Sequence, residues 1–190
     1  MLFHKDFEMR KLCAGIGAGV VGLVCSGVVA AEHAVAPQAG GPIQLFSTTG
    51  STPSGTVVIA GAIGDFGSTL TTDKNGKPNI TGNYVRFTLR KGTFEIDATK
   101  LNAITSKTPP QLNNNMTCSF AFAATGPVTL FDGTGLYKGI SGTVTLTVYD
   151  GGVGPAYTSG PNKGRCNTSS TAKPLADRGW IIGHGTVKFG

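Results

Sequence analysis

The stretch Asp132-Gly133-Thr134-Gly135-Leu136-Tyr137-Lys138-Gly139-Ile140-Ser141-Gly142 runs directly into Thr143-Val144-Thr145-Leu146-Thr147-Val148-Tyr149-Asp150. The second half alternates strictly. Val144, Leu146 and Val148 fall on one face, and Thr143, Thr145, Thr147 and Tyr149 on the other. A side-chain period of two with one apolar face specifies a half-buried strand. The first half places four glycines within ten residues. Glycine tolerates positive φ and tight bends, so this segment reads as a corner feeding the strand.

The same pattern recurs on either side. Tyr84–Leu89 alternates with Val85, Phe87 and Leu89 on one face. Arg90-Lys91-Gly92 turns, and Thr93–Asp97 returns with Phe94 and Ile96 inward, which predicts a hairpin. Thr56–Ala62 is β-branched and apolar, and ends in Gly61-Ala62-Ile63-Gly64-Asp65-Phe66-Gly67, a glycine-rich bulge or corner. Asp73–Pro78 reads as a turn around Asn75-Gly76. Asp97–Asn102 suits one helical turn, and Thr108–Asn115 a loop. Cys118–Ala124 is expected as a strand with Phe120 and Phe122 on one face. Gly151–Ala176 reads as a long polar loop, the kind that is usually functional or mobile. Gly179–Phe189 closes the chain as a strand with Trp180, Ile182 and His184 opposite Ile181, Val187 and Phe189. Its two apolar faces suggest cover on both sides.

Seven or eight short strands and scarcely any helical periodicity make the chain all-β. The expected architecture is an antiparallel eight-stranded barrel, with a β-sandwich as the alternative. The inward set is expected to be Val85, Phe87, Leu89, Phe94, Ile96, Phe120, Phe122, Val144, Leu146 and Val148. It contains no ionisable group, which suits either a filled core or an apolar ligand.

The N-terminal segment reads differently. Arg10 and Lys11 precede an apolar run from Leu12 to Ala31 that ends in small residues, the pattern of a secretory signal. Val29-Ala30-Ala31 offers a cut after Ala31; Ala34 and Ala36 are alternatives, and a membrane anchor is the competing reading. Met9 makes a cleaner start than Met1. The expected organisation is a signal over 1–31, a flexible lead-in over 32–54 with a short edge strand at Ile43–Phe46, and a single barrel domain over 55–190. Export places the protein in a secreted, periplasmic or cell-envelope setting.

Removing the signal takes Cys13 and Cys25 and leaves Cys118 and Cys166, which in an exported chain suggests one disulfide. Closing that loop contributes about 4 kcal/mol on the chain-entropy estimate. Neither cysteine lies in a metal-ligand spacing, so no metal and no cofactor is expected. The chain carries 16 Lys and Arg against 10 Asp and Glu, a formal charge of +6. The basic residues are scattered and form no nucleic-acid-binding pattern, which leaves weak attraction to an anionic envelope.

Gly133-Thr134-Gly135-Leu136-Tyr137-Lys138-Gly139-Ile140-Ser141-Gly142-Thr143 resembles the Gly-x-Gly-x-Tyr-x-Gly-x-x-Gly segment of allene oxide cyclase-like and dirigent-like barrels, including small secreted bacterial proteins of that group. The Gly61–Gly67 segment is similar in placement to the early Gly/Asp segment there. The resemblance spans roughly residues 56–190. It implies an eight-stranded barrel with a hydrophobic lumen, and dimers or trimers as in the plant members, so a homo-oligomer is an open expectation. The family's catalytic residues have no one-by-one counterparts here, so no activity carries over.

Three residues are candidates for a cavity mouth: Asp65, Tyr137 and His184. Asp65 follows Ile59 and Ile63 at even spacing, so it can face the apolar side as an acid; capping a glycine-rich turn is its structural alternative. His184, between Gly183 and Gly185, suits an acid–base role or a hydrogen-bonded rim position. Glu95 and Asp97 share a polar face and are expected in solvent beside Arg90 or Lys91. The glycines of 133–139 lack a following helix and a Lys-Ser/Thr pair, which excludes a phosphate loop. No Gly-x-Ser-x-Gly elbow exists. The leading functional expectation is a non-enzymatic protein that binds a small apolar ligand or acts at the envelope. The alternatives are a cyclase or isomerase of the allene oxide cyclase-like kind, and a structural or adhesive surface protein.

Overall fold

Alternating strands that each bury one face must find neighbours on both edges, and here they do so by closing on themselves. The computed structural model describes residues 39–49, 52–169 and 171–190, with backbone only at 111–113. The proposed signal, its cut sites, His33 and the first part of the lead-in lie outside the described residues.

Nine strands and one helix follow in chain order: β1 Gly40–Thr49, β2 Ser54–Gly61, β3 Asp65–Thr72, β4 Tyr84–Leu89, β5 Gly92–Asp97, α1 Thr99–Thr105, β6 Gln111–Asn114, β7 Ser119–Phe131, β8 Ser141–Val153 and β9 Ala176–Lys188. All pairings are antiparallel. The sheet order β5-β4-β3-β2-β1-β9-β8-β7 closes through β5–β7, giving an eight-stranded barrel, with β6 added to the far end of β7. The expected barrel is therefore present, and the sandwich is not. Closure pairs both edges of the barrel strands except along residues 122–128 of β7.

The inner wall follows the sequence alternation closely. Phe87, Leu89, Phe94, Ile96, Val144 and Leu146 are buried, joined by Leu45, Val57, Ile59, Val128, Leu130 and Val187. Phe87 stacks on its cross-strand partner Phe94 at 4.7 Å between ring centroids. Val85, Phe120, Phe122 and Val148 are only half-buried. Gly179, Gly183 and Gly185 face inward on β9. A Cβ on Gly183 would stand 3.2 Å from Leu45 Cβ and collide with the Leu146 side chain. The missing side chain lets β1 and β8 pack their leucines across β9.

Several boundaries differ from the sequence reading. The lead-in contains a full barrel strand: β1 pairs with β9 from Gly40–Lys188 through Thr49–Gly179 and with β2 on its other edge. Its Gly-Gly-Pro start and Ser-Thr-Thr end resemble a linker, but Ile43, Leu45 and Ser47 are buried at period two. The loop expected at 108–115 contains β6, and the helical turn is α1, which starts two residues later than expected and ends three later. β7 runs past Ala124 through Pro127 to Phe131. Pro127 is tolerated because residues 122–128 pair with β8 but have no strand partner on their other edge, so the ladder loses nothing there. The long loop is shorter than expected, since β8 extends to Val153 and β9 begins at Ala176.

β9 is not covered on both sides. Trp180, Ile182 and His184 point outward, with Trp180 and Ile182 partly exposed. Registered neighbours Phe66, Val58, Phe46 and Ile182 form an exposed apolar row across β3, β2, β1 and β9.

Cys118 and Cys166 are disulfide-bonded, with Cα atoms 5.3 Å apart and 48 residues between them in sequence. The bond ties the β8–β9 connection to the start of β7. Within that connection an isolated bridge pairs Ala156 with Cys166.

Candidate functional site

The barrel has two unlike ends. The β2–β3, β4–β5 and β7–β8 connections meet at one, and the β1–β2, β3–β4, β5–β7 and β8–β9 connections at the other.

The first end is plugged. The β7–β8 connection folds a 3-10 turn, Gly135–Tyr137, that drives Tyr137 into the lumen with no exposed surface. Its ring stands edge-on to Phe94 at 5.7 Å. The Tyr137 hydroxyl donates to Asp65 Oδ2 at 2.5 Å. Asp65 also accepts backbone N–H bonds from Phe66 at 2.8 Å and Lys91 at 2.9 Å. Burial pushes the Asp65 carboxyl upward, but the Tyr137, Phe66 and Lys91 hydrogen bonds and the Lys91 charge outweigh it and hold the group below its ordinary value. Burial, followed by the bond to the Asp65 carboxylate and its charge, pushes the Tyr137 hydroxyl far up. A carboxylate with three donors beside a phenol that holds its proton is a structural lock. It joins three turns and offers no free acid or base.

The other end is open. A cavity of about 480 Å³ enters there, between the β1–β2 and β3–β4 connections and helix α1. Leu45, Phe87, Ile96, Leu146 and Val148 provide its apolar wall, and Leu101 of α1 closes one side. Helix α1 covers the stretch of β7 that has no strand partner: a Cβ on Gly126 would press on Leu101 and Ile104. Hydroxyls ring the entrance, including Ser47, Thr49, Thr69 and Thr71. Two carboxylates join them, Asp150 from β8 and Asp177 from β9. Asp150 lies opposite Gly179 and Asp177 opposite Gly152, so the two are diagonal neighbours on the inward face. Diagonal cross-strand positions stand about 7–8 Å apart. Burial, and then the charge of Asp177, pushes the Asp150 carboxyl up, against one backbone hydrogen bond from Gly151.

None of the three expected mouth residues lines this cavity. Asp65 and Tyr137 are brought together, but at the plugged end; the structural alternative for Asp65, capping a glycine-rich turn, is the arrangement found. His184 is outside, opposite Gln44 and Thr145, because inward positions on β9 are the odd-numbered ones. Glu95 pairs with its cross-strand neighbour Arg86 at 2.8 Å, and Asp97 caps the Thr99 N–H at 2.8 Å. Among the described residues no group of three or more metal-ligating side chains comes together.

Asp150 and Asp177 were legible by one further step of alternation. Asp150 continues Val144, Leu146 and Val148 at period two, and Asp177 precedes Gly179 and Ile181 in the same way. The expectation of an inner face without ionisable groups fails at both ends: Asp65 and Tyr137 are buried at the plugged one, and Asp150 and Asp177 line the mouth.

Fold and site together define a closed antiparallel β-barrel, plugged at one end and open at the other into an apolar chamber with an acidic, hydroxyl-rich rim. No family model, curated protein or solved structure matches the chain.

Proposed function

We propose that this barrel binds a small molecule with an apolar body in its open lumen. The observation that carries the reading is the cavity of about 480 Å³, apolar at depth and polar at its rim. Pockets that hold small ligands commonly span about 300–1,000 Å³ and combine an apolar lining with a few placed polar groups. The disulfide supports work in an oxidising compartment, in keeping with an exported protein. A cyclase or isomerase reading draws no support from Asp65, Tyr137 or His184, since none of them reaches the chamber. The allene oxide cyclase-like and dirigent-like relationship is kept as a reading of the 133–143 segment and the barrel topology.

The test uses the neutral fluorophore N-phenyl-1-naphthylamine, whose emission rises in apolar surroundings. Saturable enhancement at one probe per chain is expected, and loss of it in Val148→Trp, which fills the chamber. Circular dichroism checks that the variant keeps its strands. Absence of saturable binding, or equal binding by the filled variant, overturns the proposal.

A further inference from the structure

The cavity's charge runs against that of the chain. The protein carries a formal charge of +6, yet among the described residues the ionisable side chains lining the chamber are Asp150 and Asp177, with no Lys, Arg or His beside them. The two project from adjacent strands on the same face. No cationic side chain lines the chamber beside them among the described residues. Two like charges at the mouth of an apolar chamber repel each other and favour any cation that comes between them.

A second, independent feature points into the same space. Thr69 lies on the inward face of β3 and lines the chamber at 8% exposure. It is thus more than nine-tenths buried, and its hydroxyl has no hydrogen-bond partner among the described residues. The hydroxyls of Ser47 and Thr48, by contrast, bond to Thr56 of the adjacent strand. A hydroxyl that lines the chamber without a protein partner is placed to bond a polar atom of an occupant. The chamber therefore offers an anionic pair, an apolar wall, and the unpartnered Thr69 hydroxyl among those near its entrance.

Resting on the lumen-binding reading above, we propose that the occupant is an amphipathic amine: an apolar body in the chamber, an ammonium head held by Asp150 and Asp177, and a second polar atom within reach of Thr69. A fatty acid or other anionic amphiphile is disfavoured by the same two carboxylates. A neutral molecule gains nothing from them.

The experiment displaces N-phenyl-1-naphthylamine from the whole protein with a chain-matched series at pH 7: decylamine, decanol and decanoate. Decylamine is expected to displace at about 10-fold lower concentration than decanol, and decanoate at higher concentration than either. In Asp150→Asn/Asp177→Asn the advantage of decylamine over decanol is expected to fall to about 2-fold or less. Displacement by 10-aminodecan-1-ol compared with decylamine reads out the hydroxyl, and Thr69→Val is expected to abolish any difference between them. If the fluorophore binds in the lumen but the three compounds displace it alike, or decanoate is best, the amine assignment is wrong and the lumen reading stands. An amine preference that persists in the double variant also overturns it, since the cation is then held elsewhere. If the fluorophore does not bind the wild-type chain, both readings fail together.

Discussion

Tyr137 and Asp65, 72 residues apart in sequence, share a 2.5 Å hydrogen bond at the plugged end of the barrel. Through it the 3-10 turn of the β7–β8 connection is locked to the start of β3, and Asp65 in turn holds the Lys91 N–H of the β4–β5 turn. Tyr137→Phe keeps the ring against Phe94 but leaves a buried carboxylate one donor short. The expected cost is about 1–3 kcal/mol, read as a lower urea midpoint with an unchanged slope. Tyr137→Ala removes the plug as well and should cost about 3–5 kcal/mol. Equal stability of wild type and Tyr137→Phe would show that the bond contributes nothing net.

The same pair sets an acid limit. Asp65 is held below its ordinary value in the folded protein, so it binds a proton less readily there than in the unfolded chain. Its contribution is fully present above the unfolded value, about 3.9, and is lost as pH falls through the lower folded value. Removing the Tyr137 hydroxyl raises the folded value toward the unfolded one. The stability difference between wild type and Tyr137→Phe should therefore be largest at neutral pH and shrink below about pH 4. Urea melts at pH 7, 5, 4 and 3 measure it. A difference that grows toward acid contradicts the assignment.

How far the sequence reveals this molecule depends on how local each instruction is. The alternations at 84–97 and 143–149 predict strands, one hairpin and inward faces correctly because period two is written within a few residues. β1 is harder to see because its main partner, β9, is nearly the whole chain away, and its glycines and threonines suit a linker equally well. β7 is truncated in the reading because Ala123–Pro127 looks like a break. Only the three-dimensional arrangement reveals that this edge of β7 needs no ladder donor. The candidate site suffers most. The even spacing from Ile59 and Ile63 puts Asp65 on the correct face, but which end of a barrel is plugged is decided by a connection folding back into the lumen, and alternation does not encode that.

The disulfide makes a separable prediction. Cys118–Cys166 closes a 48-residue separation that encloses β7, β8 and the connection beyond. The chain-entropy estimate gives about 4 kcal/mol before any native-state strain or residual unfolded structure is subtracted. Cys118→Ser/Cys166→Ser should lose about 2–4 kcal/mol while the barrel still forms, since no closing strand pair depends on the bond. Limited proteolysis should then cut within 154–175 far faster than in the oxidised protein. Unchanged cleavage there would mean the connection is held by other contacts.

Thr72 predicts a gain. It has no exposed surface, and among the described residues its hydroxyl is buried without a partner at the end of β3, where its backbone bridges to Pro78. Thr72→Val keeps the shape and removes the orphaned group. It should stabilise by about 1 kcal/mol, seen as a higher midpoint in thermal or urea unfolding. A loss of stability would indicate that a buried water serves the hydroxyl.

Asp150 behaves oppositely to Asp65, and the contrast separates a binding group from a structural one. Burial and the neighbouring Asp177 raise the Asp150 carboxyl in the folded state, and among the described residues the chamber lining holds no positive side chain to offset them. A raised acid contributes stability below its unfolded value and loses that contribution as pH rises through the folded one. At neutral pH the ionised group is therefore a cost that the empty barrel bears. Asp150→Asn should melt higher than wild type at pH 7, and the difference should vanish near pH 3, where both forms are neutral. Adding decylamine should reverse the order at pH 7, because the wild type alone keeps the full anionic pair and gains more from the ligand. A variant that is less stable at every pH would assign Asp150 to the fold and remove it from the site.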